Sequence, residues 1–355
     1  MTLEFRNVAK RSGGETLIHA CSFTFEAPGF NILLGATNAG KTTLIKLMAN
    51  LERPSDGEIW FDGKNVTRAA TQKRNVSLVH QFFVNYPHMT VYENIASPLK
   101  IERVPSAEIK RRVGEAAELL KLEPFLARRP AELSGGQQQR TALARSLVKE
   151  SSLVLLDEPL VNLDYKLREE LRDELPRLFS GRSAIVVYAT SEPTEALMLG
   201  GRTATVFEGR VTQVGETADV YRRPDTLETA QVFSDPPINT APVVKADGEI
   251  RLGDAARWPA EGDVAGMPDG TYTVAVRPHF VSPIAGETVG VPITGRVLIT
   301  ELSGSESTAH FEFEGLTWVS QSHGVHPYRV GEVHGFTIDT KGCLYFREDG
   351  TRVTG

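Results

Sequence analysis

The stretch "FNILLGATNAGKTTLIKLMANL", Phe30 to Leu51, constrains the fold of this chain more than any other. Its first residues are mostly apolar and lack the polar–apolar alternation of a half-exposed strand. Such a run suits a parallel sheet covered on both faces. The residues from Lys41 onward carry apolar side chains at helical spacing. Between strand and helix, Gly35 to Thr42 fits G-x-x-x-x-G-K-[ST], in the strand-to-helix context that gives the pattern its meaning. Gly35 and Gly40 let the backbone turn so that its N–H groups face phosphate oxygens. The helix N-terminus adds a partial positive charge. Lys41 is expected to reach the β- and γ-phosphates, and Thr42 to hold Mg²⁺. Gly35, Asn38, Ala39, Gly40, Lys41, Thr42 and Thr43 form the expected phosphate cradle.

Two further apolar runs, "SSLVLLDEP" and "SAIVVYAT", read as strands of the same sheet. The first ends in Asp157 and Glu158. One carboxylate there suits a metal shell, and its neighbour suits a general base that polarises water. A strand ending in Asp-Glu-Pro is also compatible with an ordinary turn; the phosphate-loop pattern upstream gives it weight. "LSGGQQQR", Leu133 to Arg140, places Ser134, Gly135 and Gly136 just before a helix, which exposes a second set of N–H groups. "SGG" alone would suit a plain serine-capped helix. One nucleotide has a single γ-phosphate, so this second anion surface suits a nucleotide held by another subunit.

The 355 residues are enough for two domains. Up to about Asp235 short β-rich runs alternate with helical patterns. Beyond "DPPIN", Asp235 to Asn239, come short alternating segments separated by Gly, Asp and Pro, an all-β pattern of small-barrel type. The boundary is placed near 236–242. This gives an α/β nucleotide-binding domain at 1–238, with a helical part at about 85–150, and a β-barrel at 239–355. A net charge of −6 argues against a dedicated nucleic-acid binder. Two cysteines, Cys21 and Cys343, argue against a disulfide framework and suit a reducing cytoplasm. The start, "MTLEFRNVAK", has no apolar signal-peptide core, and no apolar run reaches the ~20 residues needed to span a bilayer. A membrane role is then expected to come through partners.

The order of "GATNAGKTT", Gln81 in "VHQFFVNYPHMTVYENI", "LSGGQQQR", "LVLLDEP" and "NLD" (Asn162 to Asp164) resembles the ATP-binding subunits of ABC transporters. The resemblance covers essentially the whole first domain. "YRRPDTLETAQVFSDPPIN" and "AVRPH" resemble the sugar- and polyol-importer branch, whose ATPases carry a C-terminal barrel of oligonucleotide-binding-like type. "TVYENIASPLKI", "LDYKLREELRDELP" and "YATSEPTEALMLGG" are most similar to the ATPase subunits of bacterial glycerol importers. The resemblance implies a P-loop ATPase with a helical subdomain and a regulatory barrel, using ATP and Mg²⁺. Thr42, Gln81 and Asp157 are the implied metal ligands, and Glu158 and Gln81 the implied catalytic pair. Gln81 would also sense the membrane subunits. Phe82 to His88 would line the cleft that receives them, although Phe82, Phe83 and Tyr86 suit plain packing equally. Asp164 would face the opposite subunit's phosphate loop. Ser134, Gly135, Gly136 and Gln137 would contact the partner-bound ATP in a head-to-tail dimer. The implied partners are a second ATPase, two membrane permeases and, indirectly, a periplasmic solute-binding protein, with no nucleic acid. The implied location is the cytoplasmic face of the bacterial inner membrane.

Three positions depart from that pattern. Ser12 stands where the family has an aromatic that stacks on adenine, a contact worth roughly 1–3 kcal/mol. Asn38 replaces a common glycine, and asparagine tolerates a left-handed backbone better than most residues. Ser191 occupies the position of the switch histidine that would touch the γ-phosphate. Serine is shorter and cannot become cationic. His19, His80 and His88 are read as solvated or packed, and His310, His323, His326 and His334 lack ligand spacing. The leading expectation is a heterodimer whose own site, on this chain's phosphate loop, is slow. The alternatives are a homodimeric sugar-importer ATPase, a soluble ABC ATPase outside transport, and a regulatory nucleotide-binding subunit.

Overall fold

A computed structural model describes residues 1–69, 75–82, 84–161, 163–179, 183–284 and 290–353. The chain folds as two compact units, Met1–Ala218 and Asp219–Gly355.

The first unit opens with β1 (Thr2–Ser12), β2 (Glu15–Glu26) and β3 (Gly29–Leu34), followed by α1 (Lys41–Met48). Next come β4 (Asp56–Phe61), β5 (Lys64–Asn65) and β6 (Val76–Val79). Three helices follow, α2 (Val91–Ile101), α3 (Ser106–Leu119) and α4 (Gly135–Leu147). The unit is completed by β7 (Leu153–Asp157), α5 (Tyr165–Phe179), β8 (Ile185–Thr190), α6 (Pro193–Leu199), β9 (Arg202–Phe207) and β10 (Arg210–Glu216). The strands form an antiparallel sheet in the order β2-β1-β4-β5 and a larger sheet in the order β10-β9-β3-β8-β7-β6. In the larger sheet β9, β3, β8, β7 and β6 are parallel.

Helix α1 is held between the two sheets. Its Leu44, Ile45, Leu47 and Met48 share one core with Leu3, Phe5, Phe23 and Phe25 of the antiparallel sheet and with Leu153, Leu155, Ile185 and Val187 of the parallel one. The opposite face of the parallel sheet is covered by α5 and α6, where Phe179 meets Phe30 edge-on at 5.9 Å. Covering on both faces is why β7 and β8 are buried at every residue and read as continuous apolar runs. Helices α2, α3 and α4 pack on one another. Each functional end is capped by its own sequence. Thr90 and Glu93 form a reciprocal capping box at the start of α2, and Ser134 and Gln137 form one at the start of α4.

The second unit takes in α7 (Thr217–Arg222), which crosses the division, and α8 (Leu227–Val232). It continues with β11 (Asn239–Ala246), β12 (Glu249–Leu252), β13 (Ala256–Pro259), β14 (Gly270–Val276) and β15 (Val281–Pro283). The last strands are β16 (Val291–Leu302), β17 (Glu306–Phe313), β18 (Leu316–His323), β19 (Val333–Ile338) and β20 (Cys343–Phe346). They form two antiparallel sheets, β13-β12-β11-β14-β20 and β15-β19-β16-β17-β18. Both contribute to one core, in which Phe311 and Phe336 stack at 4.0 Å and Trp258 donates its ring N–H to Tyr345 Oη at 2.8 Å. The composition change at 236–242 coincides with the start of β11. The compact division lies earlier because Tyr221 of α7 and Leu227 of α8 are tied to the second unit. Arg277 lies 3.9 Å over the Tyr221 ring, and the Leu227 N–H bonds the Gly350 carbonyl at 2.9 Å.

Candidate nucleotide-binding and hydrolysis site

The parallel register brings the carboxyl ends of β3, β7 and β8 side by side. Asp157 pairs with Ala189, and Leu34 with Thr190. Ligands of open α/β sheets bind at this edge. Two backbone bonds lace the three strand ends together: Gly35 N–H to Thr190 O at 3.3 Å, and Glu158 N–H to Ala189 O at 3.0 Å.

The loop after β3 has the strain the motif calls for. Asn38 sits at φ 66° and Gly40 at φ 112°, both in the left-handed region. Asparagine at position 38 is one of the few non-glycine residues that enters it readily. A side chain on Gly35 would place its Cβ 2.3 Å from the Val206 carbonyl oxygen, so the loop approaches β9 as closely as a backbone can. Ala39 is buried, and its carbonyl accepts the Gly209 N–H at 2.8 Å. Lys41 is 4 % exposed, and its ammonium bonds the carbonyls of Gly35 at 2.8 Å and Ala36 at 2.9 Å. It also pairs with Glu158 Oε1 at 3.1 Å. The lysine is thus parked inside its own loop with all three donors engaged. Thr42 and Thr43, in the first turn of α1, are half-buried at the helix's positive end.

Four of the expected residues converge beyond the lysine. Thr42 Oγ1 donates to Asp157 Oδ1 at 3.2 Å, and Gln81 Nε2 donates to Glu158 Oε2 at 3.3 Å. Asp157 is 1 % exposed, and its Oδ2 is buried without a hydrogen-bond partner. Burial pushes the Asp157 carboxyl up, and the Thr42 hydroxyl and the nearby His80 oppose that. A hydroxyl, an amide and a carboxylate with an unused oxygen are hard donors of the kind Mg²⁺ takes. The residues therefore fit that ion. Glu158 itself holds φ at 47°, a conformation rare for a glutamate, so backbone strain is stored where the catalytic carboxylate was expected.

Ser191 follows β8 directly and is half-buried, one residue beyond the carbonyl that anchors Gly35. The next residue, Glu192, is held by Arg168 at 2.8 Å. Beneath the tip, Glu195 is buried and accepts hydrogen bonds from Thr190 at 2.7 Å and Tyr188 at 3.0 Å. Ser12 and Arg11 are exposed on the β1–β2 hairpin.

Other expected residues lie apart from this cluster. Ser134 Oγ accepts the Gln137 N–H at 3.4 Å, and Gln137 Oε1 accepts the Ser134 N–H at 3.0 Å. The capping box therefore engages Ser134 and Gln137 with each other, while Gly135 and Gly136 occupy the first turn, where N–H groups have no intrahelical acceptor. Asp164 caps its own helix through the Leu167 N–H at 3.0 Å. Phe82 is 74 % exposed and Tyr86 is 42 % exposed. Tyr86 is fixed by Asn94, which bonds both its N–H and its carbonyl. Phe83 and Asn162 lie outside the described residues.

His80 was not among the expected site residues, yet it stands next to Asp157. Strand β6 pairs with β7 so that Val79, its last residue, meets Leu156; His80 follows β6 directly, and Asp157 ends β7. The signal was available in "VSLVHQ": the alternation that turns Gln81 toward Glu158 turns His80 toward the face that carries Asp157.

The ABC transporter family model matches residues 18–161. The sn-glycerol-3-phosphate import ATP-binding protein UgpC of Ruegeria pomeroyi is 36 % identical over 309 residues, covering 87 % of this chain and 86 % of the relative. The chain belongs to the ABC transporter ATP-binding subunits. The oligosaccharides import ATP-binding protein MsmX of Bacillus subtilis is 34 % identical, covering 91 % of each chain. UgpC of Pectobacterium atrosepticum is 32 % identical and covers 99 % of each. Among solved structures, the dimeric ATP-binding cassette MJ0796 bound to ADP and Pi matches with a TM-score of 0.56 and 26 % identity. It covers 61 % of this chain and 98 % of that one. As a member of this family the chain is an ATP-binding ATPase.

Proposed function

We propose that this protein is the ATP-hydrolysing subunit of a bacterial importer for a sugar or polyol, with glycerol as the favoured solute. The observation that carries the reading is the joined set Lys41–Glu158–Gln81 and Thr42–Asp157 at the ends of β3, β7 and β6. It is supported by relatives named for import of sn-glycerol-3-phosphate and oligosaccharides. Among the described residues no helix is long and apolar enough to cross a membrane. Transport therefore runs through two permease subunits, with this chain peripheral at the cytoplasmic face of the inner membrane. The exposed Phe82 and Tyr86 are the surface offered to them.

In this reading ATP draws Lys41 away from the Gly35 and Ala36 carbonyls and onto its β- and γ-phosphates. The N–H groups of residues 38–43 close around the remaining oxygens. Thr42, Gln81 and Asp157 would hold Mg²⁺, which neutralises charge on the β- and γ-oxygens when bound. Freed from Lys41, Glu158 accepts a proton from the water that attacks the γ-phosphorus, and Gln81 orients that water. Ser134, Gly135, Gly136 and Gln137 serve the partner's nucleotide, and Asp164 faces the partner's phosphate loop. ATP binding closes the dimer and hydrolysis reopens it. The C-terminal β unit, of oligonucleotide-binding-like type, supports dimerisation or receives regulators.

Ser12 and Ser191 remove an adenine stack and a γ-phosphate contact from this chain's own nucleotide. We therefore favour a heterodimer, in which the signature segment of this chain completes a more competent site in a second ATPase. Purification from the native membrane tests this. Co-elution with a different ATPase and two permeases is the expected result; a symmetric pair of this chain would replace the heterodimer with the homodimeric importer.

A further inference from the structure

His80 has no role in the site as described so far, and three observations converge on it. The first is its place. Val76 and Leu78 of β6 pack against the core that α1 shares with Leu153 and Leu155 of β7. Side chains alternate along a strand, so Asp157 continues the Leu153–Leu155 row, and His80, the residue directly after β6, is near enough to act on the Asp157 carboxyl. Asp157 faces α1, whose Thr42 already bonds it. The second is its tautomer. His80 Nδ1 accepts the Phe82 N–H at 3.2 Å, which leaves the proton of the neutral ring on Nε2. The third is the neighbour's unmet need: Asp157 Oδ2 is buried and lacks a partner.

We propose that His80 is a positioning residue for Asp157, its Nε2–H serving the carboxylate on the Oδ2 side, directly or through one water, once the site is loaded. The contact fixes the carboxylate that is to hold the Mg²⁺ shell. It also supplies a ring N–H to a centre that has serine at the strand tip where a histidine would otherwise stand. This rests on the proposed assignment of Asp157 to the metal shell.

The opposing interpretation is packing, since the His80 and Phe82 rings stack at 5.9 Å. His80→Phe retains an aromatic ring and deletes the donor. His80→Gln deletes the ring and retains a donor at comparable reach. The probe is a fluorescent ATP analogue titrated onto the full chain, first in EDTA and then across a Mg²⁺ series. Loss of an outer-shell partner costs about 10–100-fold in metal affinity. His80→Phe is accordingly expected to raise the Mg²⁺ concentration for half-maximal enhancement of binding at least ~10-fold, with affinity in EDTA unchanged. His80→Gln is expected to stay within about threefold of wild type. An unshifted Mg²⁺ midpoint in His80→Phe overturns the proposal, as does an equal shift in both variants. The readout needs no turnover. A wild-type protein that binds MgATP without hydrolysing it would defeat the proposed function and leave this comparison intact.

Discussion

Replacing Ser191 with histidine is expected to accelerate this chain's own site. The residue sits one position past β8, whose last two carbonyls anchor Glu158 and Gly35 at 3.0 and 3.3 Å. A side chain there is carried by backbone already tied to both Glu158 and the phosphate loop. Serine offers one short hydroxyl; imidazole reaches farther and can donate while carrying positive charge. A preorganised donor on a developing transition-state charge is worth about 2.7–4 kcal/mol, or 10²–10³ in kcat. Ser191 is half-buried, and the next residue, Glu192, is paired with Arg168. We expect Ser191→His to recover part of that range, a rise of at least ~10-fold in kcat. The assay is steady-state phosphate release, with the phosphate loop of the second ATPase disabled in the proposed heterodimer. A contact made only in the transition state raises kcat at constant KM. A kcat within about twofold of wild type, or a gain confined to KM, refutes the reasoning.

Three further outcomes follow from other parts of the structure. Gly35→Ala forces a Cβ against the Val206 carbonyl at 2.3 Å, and overpacking of this kind costs about 1–3 kcal/mol; thermal denaturation should fall by several degrees, and an unchanged midpoint would show that the loop seat is soft. Burial holds the Glu195 carboxyl above its ordinary 4.5, so its stabilising contribution is complete below that pH and lost as pH rises through the raised value. Glutamine stays neutral and accepts the same Tyr188 and Thr190 hydroxyls, so the denaturation midpoint of Glu195→Gln relative to wild type should be higher at about pH 8 than at about pH 4; the reverse trend contradicts the assignment. Burial pushes both the Cys21 and the Cys343 thiol up to about 12, which leaves ~10⁻⁴ of each as thiolate at about pH 8. Maleimide labelling should be slow in the native protein and fast in denaturant, whereas rapid native labelling would contradict the burial.

The phosphate loop was legible because its chemistry dictates its sequence. Only glycine or asparagine sits easily at the positive φ of positions 38 and 40, and only a long cation reaches from α1 back over the loop. Asp157, the last residue of β7, and Glu158 after it stood out because the apolar run ends there. Ser134 could be read in two ways, and its capping box shows that the local role is met within the chain. Asp164 likewise caps α5, a local role that the resemblance had passed over. The antiparallel sheet of β1, β2 and β4, which closes over α1, was not read from the sequence. Its pairings join residues as far apart as Leu3 and Phe61, and β1 changes register repeatedly against β2. His80 was missed because its neighbour Asp157 is 77 positions away, and only the β6–β7 register brings them together. The compact division at Ala218–Asp219 lies upstream of the composition change at 236–242, because Tyr221 and Leu227 are held by Arg277 and Gly350 of the second unit.

The central claim is that Glu158 is the base of an ATP-hydrolysing site closed by Lys41 and Gln81. Its most direct test is Glu158→Gln, measured for ATP binding and for turnover in one preparation. The amide keeps the size of the side chain and cannot take the proton. Phosphate release should fall at least ~10²-fold, the range for loss of a general base, while MgATP stays bound at wild-type affinity or tighter, because Lys41 is no longer held by a carboxylate at 3.1 Å. Turnover within about threefold of wild type would remove Glu158 from the chemistry, and loss of ATP binding would show that the carboxylate shapes the loop rather than catalysing.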